Sequence, residues 1–172
     1  MKLVKKTVTL LIVLTLVLSL FSCGCDEGNG TEVEGYYQLG LAYSLPTSFQ
    51  MNNYNYGDLS YDDGKGGYFF FSAFSGDEIE EDMHENPEIS VREYTEIFKN
   101  LRAPIGTEYD YNEETDSAVL EYVIESDRNE YYRHMIIRGP LYLYQISMSC
   151  YEDDIDDYEE IFDKIIESIR VL

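Results

Sequence analysis

Apolar residues recur along this chain at three different spacings, and each spacing predicts a different kind of element. Ile155, Tyr158, Phe162, Ile165 and Ile169 follow one another at steps of three or four, which sets them on one stripe of an amphipathic helix over 154–169. Acidic residues crowd its first turns, where a helix end is positive, and Arg170 lies at its last turn, where the opposite sign is favoured. Val91, Tyr94, Ile97, Phe98 and Leu101 make a second such stripe. Ser90 and Glu93 stand before it at the spacing of a capping box, in which a hydroxyl and a carboxylate satisfy N–H groups that the first turn leaves without partners. Pro104 lies just beyond the end of this helix, as a stop signal should.

Alternation with period two marks the strands. Ala118, Leu120, Tyr122 and Ile124 oppose Glu121 and Glu125, a half-buried strand; Tyr144, Ile146, Met148 and Cys150 share one face of another. Tyr109 and Tyr111 share a face over 107–111, and 130–137 completes the set, with His134 on the face of Tyr132, Ile136 and Arg138. The connections Ser126–Asn129 and Gly139-Pro140 are short, so these strands pair antiparallel in a meander. Earlier in the chain, 35–45 alternates loosely and predicts a single strand stopped by Pro46. A short strand near 54–61 and a turn at Asp63-Gly64 follow, and then 68–74, apolar on both faces, predicts an interior strand. The acidic stretch 77–87 reads as loop or a short helical turn. Amphipathic stripes must be buried and an antiparallel sheet offers faces to bury them on. The fold class is therefore α+β: an antiparallel meander packed against two amphipathic helices in a two- or three-layer sandwich.

The third spacing is no spacing at all. From Val8 to Phe21 the chain is apolar except for Thr and Ser, behind a positive start of Lys2, Lys5 and Lys6. That is the pattern of a secretory leader, and it is short of the roughly 20 apolar residues a membrane-spanning helix needs. Leu20-Phe21-Ser22-Cys23 resembles the lipobox of bacterial lipoproteins, whereas Cys25 has Ser22 at the corresponding −3 position, a poorer match. The resemblance implies that residues 1–22 are removed and that Cys23 carries a diacylglyceryl group. Two acyl chains suffice for stable anchoring, so the expected location is the outer face of the bacterial cell membrane. Residues 23–34, polar and Gly-rich, read as a tether, and 35–172 as one domain.

All 34 acidic residues follow Cys23, while three of the 12 basic ones precede it, so the mature part is even more negative than the −22 of the whole chain. Such a surface repels nucleic acid and anionic headgroups and attracts divalent cations or a basic partner. With Cys23 lipidated, Cys25 and Cys150 either pair or leave Cys150 free. The alternation at Cys150 favours a free thiol on an apolar strand face.

Candidate chemistry is sparse. Asp110, Asn112, Glu114 and Asp116 alternate, with Glu121 at the twelfth position, in faint likeness to a calcium loop; Thr115 stands where such a loop needs Gly. The acids of 153–160 sit at helical spacing and read as a solvated face. Neither His84 nor His134 belongs to a recognisable triad, no Cys/His cluster has metal spacing, and no glycine loop cradles phosphate. No catalytic residue, metal site or cofactor is assigned. The 17 Tyr against no Trp are the compositional oddity. Tyr36, Tyr54, Tyr56 and Tyr61, among Asn, Gly and Asp, are the candidate recognition surface, since Tyr offers large contact area at low entropic cost.

The opening strand running into Leu45-Pro46-x-x-Phe49, the helix and meander after it, and the closing IIESIRVL helix resemble the PsbP-like superfamily over 35–49 and 151–172. That superfamily includes a photosystem subunit, Ran-binding Mog proteins and many bacterial lipoproteins. The resemblance implies a non-enzymatic accessory or binding protein and transfers no binding residue. The leading expectation is a lipid-anchored protein that engages an envelope protein or glycan. A calcium-responsive surface protein is the second reading, and a small hydrolase with no site visible in the sequence the third, for which an enclosed pocket holding His134 beside a nucleophile would be the supporting observation.

Overall fold

The computed structural model describes residues 33–55, 58–83 and 85–172; the leader, Cys23, Cys25, Tyr56 and His84 lie outside them. Among the described residues the chain forms β1 (Val33–Gln38), β2 (Leu41–Pro46), β3 (Gln50–Asn55), β4 (Asp58–Asp62) and β5 (Tyr68–Ser75). Two helices, α1 (Gly76–Met83) and α2 (Val91–Arg102), come next. Strands β6 (Tyr109–Asn112), β7 (Ser117–Ile124), β8 (Glu130–Arg138) and β9 (Tyr142–Tyr151) follow, and then α3 (Ile155–Ser168) and β10 (Arg170–Val171). Seven strands pair antiparallel in the order β3-β4-β5-β9-β8-β7-β6, and β1-β2-β10 make a separate small sheet.

Three layers result. On one face of the large sheet, Leu59, Phe69, Phe71, Tyr144, Ile146 and Met148 pack with Leu41 and Leu45 of the small sheet and with Tyr158, Phe162 and Ile165 of α3. On the other, Ala118, Leu120, Ile136 and Leu143 pack with Ile79 of α1 and with Val91, Tyr94 and Phe98 of α2. The α+β sandwich expected from the pattern thus forms, and the meander β6 to β9 runs between neighbours as its short connections require.

Both helical caps follow from local sequence. Ser90 Oγ accepts from the Glu93 amide while Glu93 Oε2 accepts from the Ser90 amide, at 3.2 and 3.0 Å. The same exchange links Ser75 and Glu78, at 3.3 and 2.7 Å, and it turns the acidic stretch, expected as loop or a single turn, into the eight-residue helix α1.

Five expectations are corrected. The single strand predicted over 35–45 is a hairpin, because Leu39 and Gly40 both take positive φ (49° and 86°), the requirement of the tight turn that matches strand twist. That turn is held from outside: Tyr144 Oη donates to the Leu39 carbonyl (2.8 Å) and the Leu172 amide to the Gly40 carbonyl (2.9 Å). The strand starts at Val33, two residues inside the predicted tether. The short strand near 54–61 is likewise a hairpin, β3 with β4. Arg170 has left the helix to pair with Ala42 in β10, yet its guanidinium still donates to the Glu167 carbonyl (2.6 Å), the contact expected at a helix end. Finally, Leu101, on the predicted stripe of α2, is 75% exposed.

The predicted turn at Asp63-Gly64 is tied to α3. Asp63 Oδ1 accepts from the amides of Lys65, Gly66 and Gly67, and Oδ2 accepts from Tyr158 Oη (2.5 Å). A Cβ at Gly67 would lie 2.3 Å from the Tyr158 ring, so only glycine fits beneath it. Cys150 is buried and free, as the alternation favours, and burial pushes its thiol up to about 11.

Phe162 and Leu101 both belong to helical stripes, and the structure separates them. Phe162→Ala, fully buried, is expected to cost about 3–5 kcal/mol by urea denaturation, whereas Leu101→Ala should stay within about 0.5 kcal/mol of the parent. Equal losses at the two positions would contradict the layer assignment.

Candidate functional site

Period-two alternation gives β5, β9, β8 and β7 a second face, opposite α3. Phe70, Ser72 and Phe74 stand on it from β5, Gln145 and Ser147 from β9, Tyr132 and His134 from β8, Tyr122 and Ile124 from β7. Helix α2 roofs only part of this face. The remainder is a cleft of about 600 Å³ between α2 and the sheet, floored by these residues other than Ser147 and rimmed by Glu85, Ile97, Leu101 and Arg102.

His134 lies at its base, buried, in a column of rings. Tyr132 is parallel to it (5.7 Å, 4°), Tyr122 stacks on it (5.3 Å, 22°), and Phe98 of α2 meets it edge-on (4.8 Å, 63°). The column follows from register: Tyr122 pairs with Tyr132 across β7 and β8, and Leu120 with His134. Both ring nitrogens are engaged, Nδ1 with Ser147 Oγ at 2.7 Å and Nε2 with Tyr122 Oη at 2.8 Å. Nearby, Tyr94 Oη donates to Gln145 Oε1 (3.0 Å), and Gln145 Nε2 approaches Ser147 Oγ at 3.5 Å. Burial, and secondarily the charge of Arg102, lower the His134 pKa to about 4, so the imidazole is neutral at pH 7. Burial likewise raises Tyr94, Tyr122 and Tyr132 to about 12, with the Glu130 carboxylate adding to the effect at Tyr132.

A histidine beside a serine in a cleft is the arrangement a hydrolase needs, and here the surroundings are wrong for one. The second nitrogen meets a phenol instead of an orienting carboxylate. The imidazole is a weak base, and Ser147 sits mid-strand, paired with Phe70 on one side and His134 on the other. Its backbone amides are spent on the ladder, which leaves no local donors for an oxyanion. The arrangement is suited to holding a ligand: aromatic walls, a few fixed polar groups, and little net charge.

The sequence-predicted positions fall elsewhere. Tyr61 is 1% exposed, its hydroxyl paired with Tyr43 at 3.3 Å, which corrects the expectation of a recognition surface at that residue. Tyr36 is half-buried against it, with ring centroids 5.2 Å apart. The two are brought together, but in the α3-side core, because β1 and β2 fold over β4. Tyr54 lies in β3 and Tyr56 and Cys23 are outside the described side chains. In the faint calcium loop, Asn112 Oδ1 accepts from the amides of Glu114 and Thr115, and Asp116 Oδ1 from Tyr111 Oη; these oxygens close the β6–β7 turn. Among the described residues no cluster of three acidic, His or Cys side chains could hold a metal.

Sequence reasoning placed His134 and Tyr132 on one face and missed Phe70, Tyr94, Tyr122, Gln145 and Ser147 as their neighbours. One signal was present: Gln145, Ser147 and Ser149 put polar groups on the second face of a central strand whose other face is apolar.

No family model and no curated protein matches this sequence. Solved structures do. The Ran-binding protein Mog1p of Saccharomyces cerevisiae is similar at a TM-score of 0.55 and 7% identity, over 83% of this chain and 96% of that one. Cyanobacterial PsbP (CyanoP) of Synechocystis is similar at 0.52 and 14%, over 87% and 98%. A protein of Bacteroides thetaiotaomicron is similar at 0.52 and 10%, over 81% of this chain and 48% of that one, so this chain spans about half its length. At these identities the likeness establishes the fold, which is PsbP-like.

The buried neutral imidazole has a measurable consequence. An unfolded His titrates near 6.5, the folded one near 4, so between those values the unfolded state binds a proton that the folded state does not. Stability is therefore whole above pH 6.5 and falls as the pH drops toward 4, by about 3 kcal/mol in all. Denaturation midpoints at pH 7 and 4.5 should differ less in His134→Gln than in the parent; an equal drop would show that His134 is not protected from protonation.

Proposed function

We propose that this chain is a lipid-anchored, extracytoplasmic binding protein, an accessory factor without catalytic chemistry. Its anchor is a diacylglyceryl thioether on Cys23 and its binding element is the aromatic cleft between α2 and the sheet. The observation that carries the binding role is that cleft: about 600 Å³, open, walled by rings, and floored by a histidine held neutral. Support for the anchor comes from the leader, with its lysines, apolar run and Leu20-Phe21-Ser22-Cys23. Mog1p, similar in fold, is a Ran-binding protein, and recognition without catalysis suits a scaffold of this kind. The heavily acidic composition keeps the domain off anionic headgroups, leaving the cleft free to meet an envelope component.

Two measurements test this. Mass spectrometry of the native protein should find an N-terminal peptide that begins at Cys23 and carries two acyl chains through its sulfur, while Cys23→Ala should retain residues 1–22. An unmodified thiol would remove the anchor. In a pull-down from native envelopes, a component retained by the parent should be lost with Leu101→Glu, which charges the exposed cleft rim without touching the core. Undiminished retention in that variant would remove the cleft from the binding role.

A further inference from the structure

The polar groups under the cleft form one chain of hydrogen bonds, and counting their hydrogens shows which donor is left unspent. Tyr94 donates to Gln145, and Gln145 Nε2 points to Ser147 Oγ. Ser147 meets His134 Nδ1, and His134 Nε2 meets Tyr122. A neutral imidazole contributes one N–H and one acceptor. If Ser147 donates to Nδ1, then Nε2–H donates to Tyr122 and the phenolic hydrogen of Tyr122 is left over. If instead Nδ1–H donates to Ser147, the leftover hydrogen is that of Ser147, whose oxygen would then accept from two neighbours at once. The first arrangement runs head to tail through every link, the order in which each bond polarises the next. It leaves its unspent donor on Tyr122, a residue that lines the cleft; Ser147 does not.

We propose that the cleft takes a small neutral molecule that carries a ring and a carbonyl-type oxygen, the ring lying among Phe70, Phe74 and Tyr132 and the oxygen accepting the Tyr122 hydrogen. The inference rests on the cleft being the binding element. Neutrality follows from the lining, in which Arg102 and Glu85 contribute one charge of each sign and His134 none. An anion would in addition meet the repulsion of a chain with 34 acidic and 12 basic residues. The aliphatic rim of Ile97, Leu101 and Ile124 favours an apolar body over a polyhydroxylated one.

The test uses the full-length chain in lipid nanodiscs, with ¹³C-labelled Tyr and His rings, titrated with acetophenone, ethylbenzene and benzoate. Acetophenone and ethylbenzene should both shift the Tyr132 and His134 signals. The ratio of acetophenone to ethylbenzene affinity should fall about fivefold in Tyr122→Phe, the loss expected for one hydrogen bond, and stay unchanged in Tyr37→Phe, which removes an exposed phenol outside the cleft. Comparing the two probes within each variant cancels partition into lipid and any general change in packing. A ratio indifferent to Tyr122, or one that falls equally in Tyr37→Phe, would overturn the assigned oxygen contact while leaving cleft binding intact. Tighter binding of benzoate than of acetophenone would overturn the neutral ligand. Failure of both neutral rings to bind would remove the cleft as a binding element altogether.

Discussion

Helix α2 is too small for the face it packs on, and the candidate site exists because of that shortfall. Twelve residues make a helix of about 18 Å. Seven strands about 4.8 Å apart span roughly 29 Å, and strands of nine or ten residues run about 30 Å. No placement of such a helix covers the sheet. Where α2 does lie, the residues beneath it are Ala118, Leu120, Ile136 and Leu143. Beside it the floor is mixed, with Phe70, Phe74 and Tyr132 standing next to Ser72 and Gln145. A wholly apolar floor in the same place would have been an aggregation hazard.

The opposite face is covered more fully. There α3 and the β1–β2 hairpin leave only a smaller recess of about 340 Å³ among the described residues, between β6–β8 and the end of α3, and the layer is pinned at points far apart in sequence. Tyr158 holds the Asp63 turn, Tyr144 holds the Leu39 carbonyl, and Ser168 Oγ accepts from the Ser44 amide at 2.8 Å. Arg133, buried beneath α3, spans Glu121 and Asp163 at 2.7 and 2.5 Å. Its two partners reach solvent, so the charge is paired without burying three ions together, the arrangement in which desolvation is least severe. One well-fastened face gives the open face a rigid floor, and binding groups are best carried on such a support.

Burial governs the chemistry of the cleft more than charge does. The imidazole of His134 and the phenols of Tyr94, Tyr122 and Tyr132 are all driven toward their neutral forms, so the polar groups there act as fixed dipoles over the physiological range. This in a chain with 34 carboxylates is a matter of placement: Glu85 is the carboxylate among the lining residues, and Arg102 balances it. A neutral aromatic recess in an acidic shell selects against anions at long range and for apolar contact at short range.

Much of this was written in local sequence. The stripes of α2 and α3, the Ser90–Glu93 box and the meander of four strands depend on spacings within a dozen residues, and local steric and hydrogen-bonding rules act over that distance. The Leu39-Gly40 turn did not show itself, because its positive φ values are imposed by Tyr144 and Leu172, more than a hundred residues away. Leu101 and Tyr61 illustrate the same limit from two sides. Period places a residue on a face, but only the extent of the covering layer decides whether that face is buried. Leu101 stands in the last turn of α2 on the rim of the open cleft, and the hairpin folds over Tyr61. The cleft is the fullest case, since His134, Ser147, Gln145, Tyr122 and Tyr94 come from four elements and meet only through strand register and helix position. Sequence by itself determined which elements form and which of their faces are apolar; the tertiary structure alone decided what covers each face, because coverage depends on contacts between segments that no local spacing records.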